Sequence, residues 1–359
     1  MEHEDAADKS RIDLHGYQPR HIMEGMIKVD KSPMPSSIKR APGISASLGR
    51  LDTLPLEILH CIFAALDFQS LSRVSKTCLR GIEVVESLRE YRDMIRHAPR
   101  AIAALGRTRQ VCYHAASTLH NTLLSKECAS CGRFGAFLFL PTCKRCCYDC
   151  LWQNPSLWVM PISAAAKCFG LPTSLVKTLP TMLSLPGNYQ VRFGVSVTRR
   201  RRLVSLAAAK KLAIDHFGSE ERVAGLLEVR RTAGLSSQEY FDLRWLQAAP
   251  MQPPGPEIST RVKEADTPND SCSGVASIPF PHLSTGNKLE HGLWCKGCEH
   301  TFRLWSQNGV VPDNFSRSLD ETENVRRALS AVRDRARSTT ALLEHTTRCS
   351  GAQALVGKE

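Results

Sequence analysis

The densest helical pattern of hydrophobic positions lies between Leu54 and Val85. It begins with Leu54-Pro55, and proline suits a first helical turn because its missing N–H leaves no hydrogen bond unmade. Apolar residues then recur at three- and four-residue spacing, which predicts a helix. One stripe contains Leu56, Leu59, Phe63 and Leu66, and a second contains Ile58 and Ile62. Two stripes cover more than one face, so we expect part of this surface to be buried against a partner.

A second helical pattern follows in the same segment. Asp67 and Ser70 predict a helix end and a new N-cap. The apolar positions then continue as Leu71, Val74, Cys78, Ile82 and Val85. A three-helix fragment of an ordinary core would show the same periodicity, so the pattern alone leaves both interpretations open.

The remaining pattern predicts a mainly α fold with small β elements. We expect helices at 86–96, 102–123, 163–169, 202–217 and 319–343, a strand pair at 188–197 and a loop at 180–186. Residues 1–49 are polar and charged with little periodicity, which predicts disorder. Residues 250–290 are rich in Pro, Ser, Thr and Gly, which predicts a linker or mobile loop. These boundaries leave a helical module at 50–95, a helical and cysteine-rich region at 96–249, and a C-terminal region at 291–355.

Composition favours an intracellular protein. Of 359 residues, 42% are hydrophobic and 23% charged, as in soluble globular proteins. There is no apolar run of about 18 residues and no signal-peptide core, so we expect no membrane association and a cytoplasmic or nuclear location, or both. In such compartments the 14 cysteines are expected to be metal ligands or buried thiols rather than disulfides.

Six of these cysteines lie within 23 residues, in the order Cys128-x2-Cys131, Cys143-x2-Cys146 and Cys147-x2-Cys150. Two Cys-x2-Cys turns can complete a closed, tetrahedral zinc site. Pairing the first turn with Cys147 and Cys150 leaves a 15-residue gap, within the usual range for four-cysteine sites, whereas Cys143 and Cys146 leave only 11. We therefore predict Cys128, Cys131, Cys147 and Cys150 as ligands, with Cys143 or Cys146 as alternates.

A second zinc site is predicted near the C-terminus. Cys295-x2-Cys298 provides two ligands, and His345-x3-Cys349 provides two more at a spacing of one helical turn. The intervening 46 residues are long for a finger, but an inserted helix-bearing loop would tolerate them. Rival ligands are His282, His291, His300 and Cys272.

The net charge of +12 raises the question of an acidic partner. The most basic stretch is Arg199–Arg202, followed by Lys210 and Lys211. It could be a solvated helix face, a nuclear localisation signal or a phosphate-binding patch. No aromatic residue interrupts it, so base stacking has little support, and nucleic acid is not the expected partner.

The 54–85 segment resembles an F-box, the adaptor-binding motif of cullin-RING ubiquitin ligases. The shared wording is Leu54-Pro55, Glu57-Ile58-Leu59, Ile62-Phe63, Leu66, Leu71, Val74-Ser75 and Cys78. The resemblance implies that one set of side chains binds a Skp-type adaptor and, through it, a cullin. That set is Leu54, Pro55, Ile58, Leu59, Ile62, Phe63, Leu71 and Val74. The bulky aromatic residue common late in the motif is absent, and Leu79-Arg80 stand near its place.

The chain as a whole is similar to a family of fungal F-box proteins that carry a cysteine-rich stretch after the F-box and a final His-x3-Cys. The shared wording includes Phe139-Leu-Pro-Thr-Cys143, Cys147-x2-Cys150 and Leu343-Glu-His345 leading to Cys349. The similarity implies structural zinc at both places. Thr346 stands where an aromatic residue usually follows the histidine.

These observations favour a non-catalytic interaction protein over an enzyme. The sequence has no phosphate-binding Gly-Lys-Ser/Thr loop and no Gly-x-Ser-x-Gly motif, and the predicted zinc sites have no open position. The expected function is substrate recognition within a Skp-cullin-F-box ubiquitin ligase, with an unknown protein as target. The alternative is a zinc-finger nucleic-acid-binding or regulatory protein that uses Arg199–Arg202.

Overall fold

The structure is a computed structural model, and it describes residues 2–29, 47–191, 194–231, 235–248, 268, 272, 274–309 and 325–356. Within these ranges helices dominate, and the strands form five small sheets of two or three strands each. The prediction of a mainly helical fold with small β elements is therefore confirmed.

The N-terminal segment differs from the predicted disorder. It contains α1 (Glu2–His15), β1 (Gly16–Tyr17) and α2 (Arg20–Glu24). Tyr17 of β1 pairs with Trp294 in an antiparallel ladder, and Ile22 of α2 is fully buried. A long-range strand partner and a buried helix face order this segment, and neither is visible in local composition. Residues 30–46, also predicted as disordered, lie outside the described residues.

Six helices follow a short 3-10 turn at Gly49–Thr53. They are α3 (Leu56–Ala64), α4 (Phe68–Val74), α5 (Leu79–Ser87), α6 (Arg89–His97), α7 (Pro99–Arg107) and α8 (Ala116–Leu124). The cap predicted at Asp67 is present, whereas the single helix predicted at 102–123 is interrupted at 108–115, between α7 and α8. The Asp67 carboxylate accepts hydrogen bonds from the backbone N–H of Gln69 and Ser70 at 2.8 and 2.9 Å, and Pro99 occupies the first turn of α7.

The buried face of α3 and α4 belongs to the main hydrophobic core. Leu59, Phe63 and Leu71 lie in the same cluster as Phe137 and Phe139 of the cysteine-rich region. The helices of the 54–85 segment therefore do not form a separate domain with a core of their own.

The cysteine-rich region is built on a β-hairpin followed by a helix. Strands β2 (Phe137–Phe139) and β3 (Lys144–Cys146) pair antiparallel, and α9 (Tyr148–Gln153) follows directly. A third strand, β9 (Ser277–Pro279), pairs with the other edge of β2. Burial lowers the pKa of Arg145, on β3, to about 9. This guanidinium is held by carbonyl oxygens, and its acceptors are those of Thr122, Gly135, Phe280 and Pro281.

A second core is formed by a small sheet and the helices packed on it. The sheet has the order β4 (Val159–Pro161), β8 (Arg202–Ser205), β5 (Met182–Leu183). The helices of this region are α10 (Ile162–Phe169), α11 (Thr173–Val176), α12 (Leu206–Phe217), α13 (Glu220–Arg231) and α14 (Ser237–Ala248). Trp158, buried in this core, stacks on the partly buried Trp245 with ring centroids 5.5 Å apart.

Two predictions in this region need correction, and one is confirmed. Residues 202–205 form a strand rather than the start of a helix, because Leu203 and Val204 are buried between two neighbouring strands. The predicted loop at 180–186 contains β5. The strand pair at 188–197 is present as β6 (Gly187–Gln190) and β7 (Gly194–Val197).

Among its described residues, the C-terminal region contains three short strands and four helices. These are β10 (His282–Leu283), β11 (Leu289–Glu290), β12 (Trp294–Cys295), α15 (Lys296–Asn308), α16 (Val325–Arg333), α17 (Thr339–Arg348) and α18 (Ser350–Val356). The helix predicted at 319–343 is two helices separated at 334–338, and its residues 319–324 lie outside the described residues.

The predicted linker at 250–290 is wrong for its C-terminal part. Residues 277–290 contain β9, β10 and β11, and Val275 and Phe280 are buried in the main core. Most of the predicted linker before residue 274 lies outside the described residues.

Candidate metal centres

The first candidate centre combines a tight turn with the start of a helix. Cys128 and Cys131 lie on a turn that precedes the β2–β3 hairpin, and its closing residue, Gly132, has a φ of +72°, which glycine adopts without strain. Cys147 is the N-cap of α9, and Cys150 lies in the first turn of that helix. The hairpin thus returns the chain so that both Cys-x2-Cys pairs face each other.

The four sulfur atoms converge as a tetrahedral ion requires. Their Sγ atoms all lie within 4.8 Å of one another, and those of Cys131 and Cys147 are 3.6 Å apart. Four thiolates bound to zinc at about 2.3 Å in a tetrahedron lie ~3.8 Å apart, so the spacing fits. All four residues are buried. The donor set of four convergent sulfurs is the one that structural zinc prefers.

Backbone amides favour the ionised form of this cluster. The N–H of Ser130 donates to Cys128 Sγ at 3.4 Å, and the N–H of Cys150 donates to Cys147 Sγ at 3.5 Å. Hydrogen bonds from the other three thiols hold the pKa of Cys128 far below its usual value. Hydrogen bonds with Cys128, Cys131 and Cys150, and then burial, raise the pKa of Cys147, because a thiol that donates to a neighbouring sulfur loses that bond when it ionises.

The two alternate ligands are directed elsewhere. Cys143 Sγ contacts the carbonyl of Leu140, and Cys146 Sγ contacts that of Phe137, each at 3.6 Å. Burial raises the pKa of both thiols. Cys146 points into the core because side chains alternate along β3. The structure therefore brings together the ligand set with the 15-residue gap, and the alternates serve as core side chains.

The second candidate centre joins the start of one helix to the end of another. Cys295 precedes α15 and Cys298 lies in its first turn, while His345 lies on α17 and Cys349 ends it. Cys298 Sγ is 3.1 Å from His345 Nε2, which identifies the ring nitrogen that faces the site. The Sγ of Cys349 lies 3.9 Å from that of Cys295 and 3.8 Å from that of Cys298. These distances fit three thiolates and one imidazole around a zinc ion.

The rival ligands lie outside this cluster. His282 pairs with Glu290 at 3.3 Å, and Cys272 is buried in the main core. Burial lowers the pKa of His291, and His300 contacts Arg303 on α15. The predicted set of Cys295, Cys298, His345 and Cys349 is the one that the structure brings together.

The N-terminal segment supports this second centre. The sequence pattern did not predict this support. Gly16 of β1 pairs with Cys295, and Arg11 of α1 donates to the carbonyl of Leu343 and to the hydroxyl of Thr346. Thr346, which directly follows the ligand His345, is therefore tied to α1 by this bond. The strand pair that joins β1 to Cys295 links residues nearly 280 positions apart, so no local sequence pattern predicts it.

The residues expected to bind an adaptor fall into three groups, which are buried, partly buried and exposed. Leu59, Phe63 and Leu71 are 0–2% exposed in the chain's own core, so the expectation that they are available to a partner needs correction. Leu54 and Val74 are partly buried against that core. The exposed residues are Pro55, Ile58 and Ile62.

The exposed apolar surface extends beyond the predicted set. Leu51 and Leu56 are 39% and 38% exposed and lie close in sequence to Ile58 at 46% and Ile62 at 42%. We call these four side chains the α3 apolar patch. The second stripe in the sequence pattern, Ile58 and Ile62, was the signal for it.

The basic stretch is only partly a surface patch. Arg199–Arg202 are exposed on the segment that leads into β8, and Arg201 and Arg202 line a groove with Lys177. Lys210 is buried on α12 and lies 3.4 Å from the Glu220 carboxylate, whereas Lys211 is exposed. The stretch is therefore not one continuous basic face.

Comparisons with protein-family models, with curated proteins and with solved structures found no match for this chain. Among the helices that the structure describes, none combines the length and apolar character of a membrane span.

Proposed function

We propose that this protein is an F-box adaptor, the substrate-recognition subunit of a Skp-cullin-F-box ubiquitin ligase. Its α3 apolar patch would bind a Skp-type adaptor and, through it, a cullin. A conjugating enzyme elsewhere in the complex would supply the chemistry. The single observation that carries the proposal is that this patch is exposed on the segment whose sequence resembles an F-box.

The patch is unusual for the surface of this chain. Four of the nine large hydrophobic side chains exposed on the described residues fall within twelve positions, 51–62. Ile58 and Ile62 are one helical turn apart and therefore adjacent on one face. Clustered exposed apolar side chains favour a protein interface, whereas single ones are normal on any surface.

The opposite face of α3 explains why the patch keeps a fixed shape. Leu59 and Phe63 anchor the helix in the main core, and the backbone N–H of Ala116 donates to the carbonyl of Leu66 at 2.8 Å. A rigid presenting helix lowers the entropy lost on binding, which favours affinity. The buried part of the F-box pattern would thus support the interface without contacting the adaptor.

The two zinc centres have a structural role in this proposal. Each has four protein ligands, which leaves no coordination position for a substrate or a reactive water. They would brace the remainder of the chain, which presents the target.

Capture of a Skp-type adaptor tests the proposal. The chain would be co-expressed with the adaptor, and an Ile58→Asp/Ile62→Asp variant compared with Leu304→Asp/Leu124→Asp. Leu304 and Leu124 are each 36% exposed but lie on α15 and α8, so the control makes the same chemical change outside the patch. We expect the first variant to lose capture, because two buried charges cost far more than the contacts they replace.

The control variant should capture the adaptor as the unchanged chain does. Circular dichroism and zinc content would show that both variants are folded. If the unchanged chain captures no adaptor, or if both variants capture it equally, the proposal is wrong. DNA binding that depends on Arg199–Arg202 would then favour the nucleic-acid alternative.

A further inference from the structure

A basic groove of about 620 Å³ lies between the turn of the first metal centre and helix α17. One wall is formed by the residues just after Cys131. The other wall is formed by the turn between α16 and α17 and by α17 itself. Four arginines and a single carboxylate line it, and these are Arg133, Arg335, Arg337, Arg348 and Glu344. Its charged lining is thus strongly positive.

Two of the arginines are recessed in the floor of the groove. Arg337 is 7% exposed, its backbone is bonded to Leu293 in both directions, and its Nη1 donates to the carbonyl of Arg335 at 2.9 Å. Arg335 Nε is buried and has no hydrogen-bond partner among the described residues. Burial, and then the charges of Arg133 and Arg337, lower the pKa of Arg335. The guanidinium groups are therefore held together despite their mutual repulsion.

Few carboxylates neutralise this cluster within the described parts of the chain. Arg133 lies 3.8 Å from Asp149, but Arg335, Arg337 and Arg348 have no carboxylate within ion-pair distance there. A purely structural explanation exists, because the Asp149 carboxylate and the Cys147 thiolate of the first metal centre carry negative charge that acts on Arg335. That explanation makes the arginines part of the metal centre, and it predicts that their loss releases zinc.

We infer that this groove binds a carboxylate-rich peptide segment of a protein partner. The planar guanidinium fork matches a carboxylate in bidentate geometry, and recessed guanidiniums suit side chains that reach into a groove. Phe134, Ala336 and Ala341 give the groove an apolar wall for the aliphatic parts of such a segment. Glu344 can accept a hydrogen bond from a peptide N–H, a donor that the sugar-phosphate backbone of a nucleic acid does not offer.

This inference goes beyond the proposed adaptor binding and does not depend on it. The groove and the α3 apolar patch share no residue, so the test uses the full chain without any adaptor. A negative result in one experiment therefore says nothing about the other.

The probe is a fluorescein-labelled hexaglutamate peptide, titrated with the zinc-loaded chain and followed by fluorescence anisotropy. We expect Arg335→Gln to weaken binding roughly tenfold, as expected for loss of a charged hydrogen-bonded contact. Arg201→Gln/Arg202→Gln removes even more charge from the separate groove beside Lys177 and should leave the affinity within about twofold. Glu344→Gln, an exposed and conservative change, should tighten binding about two- to threefold by removing a repulsion.

The outcomes distinguish the possible explanations. Equal weakening by Arg335→Gln and by the Arg201→Gln/Arg202→Gln control would mean non-specific attraction and would overturn the inference. So would displacement of the peptide by an equally charged oligothymidylate at lower concentration. If Arg335→Gln also releases zinc, the Glu344→Gln result distinguishes peptide binding from a purely structural role of the arginines. A purely structural role predicts that Glu344→Gln does not tighten peptide binding.

Discussion

Two cysteines only four residues apart show what makes a ligand at the first centre. Cys147 caps a helix, receives an N–H from Cys150, and lies 3.6 Å from the sulfur of Cys131. Cys143 has a φ of +49°, which turns its thiol toward the carbonyl of Leu140. Cys147 is a ligand because its sulfur converges with the others and accepts a hydrogen bond from a backbone amide. Both cysteines are buried thiols, so burial alone does not distinguish Cys147 from Cys143.

Replacing each cysteine by serine tests this assignment. Cys147→Ser should lower the zinc content by about one ion per chain and reduce the free energy of unfolding by about 4 kcal/mol, as loss of a structural metal does. Cys143→Ser should keep the zinc and cost about 1 kcal/mol, since the hydroxyl can still donate to Leu140. Metal analysis by mass spectrometry and urea unfolding are the measurements. Loss of zinc from the Cys143 variant alone would reverse the assignment.

At the scale of elements, the second centre depends on two helices in unusually close contact. A Cβ added to Gly351 on α18 would lie 2.1 Å from the Gly297 carbonyl and 2.5 Å from the Thr301 hydroxyl on α15. A Cβ added to Gly297 would likewise lie 2.2 Å from the backbone N of Ala352, so both glycines are needed for this close helix packing. Cys349 directly precedes α18, so this packing also positions a ligand.

Gly351→Ala should consequently destabilise the protein by about 2 kcal/mol through overpacking and should weaken zinc retention at the second centre. The matched control is Gly225→Ala on α13, where the added methyl group meets nothing within 4 Å. That change should instead stabilise by about 0.5 kcal/mol, because glycine costs more backbone entropy in a helix. Thermal unfolding with parallel zinc analysis compares them. A Gly351 variant as stable as the control would contradict the packing argument.

How well the sequence predicts an element depends on how local its cause is. The ligand pairs followed from Cys-x2-Cys spacing, and the helices of 56–97 followed from caps and periodicity. Residues 202–205 were assigned to a helix because buried Leu203 and Val204 fit either period, and only the neighbouring strands decide. Strand β9 was assigned to a linker because its partner, β2, lies about 140 residues earlier.

At the scale of the whole molecule, the first centre and the α3 apolar patch are joined through one core. Cys128, Cys131, Cys147 and Cys150 belong to the same hydrophobic cluster as Leu59 and Phe63, which anchor α3. The second centre borders a smaller cluster around Leu342 and Ala352. The two metals should therefore differ in how far the effect of their removal extends.

Removal of zinc tests this difference. Loss of the first zinc ion should cost about 4 kcal/mol, a large share of the roughly 5–15 kcal/mol by which a typical domain is stable. Loss of the first ion should thus expose the amides of α3, although α3 supplies no ligand. We expect Cys147→Ser, like treatment with a chelator, to raise hydrogen exchange across 56–64.

Cys298→Ser should raise hydrogen exchange mainly in α15, α17 and α1, because those elements surround the second centre. Readdition of zinc should restore protection to the chelated chain but not to Cys147→Ser. Unchanged hydrogen exchange in α3 after loss of the first ion would mean that this helix is stable without the zinc-braced core.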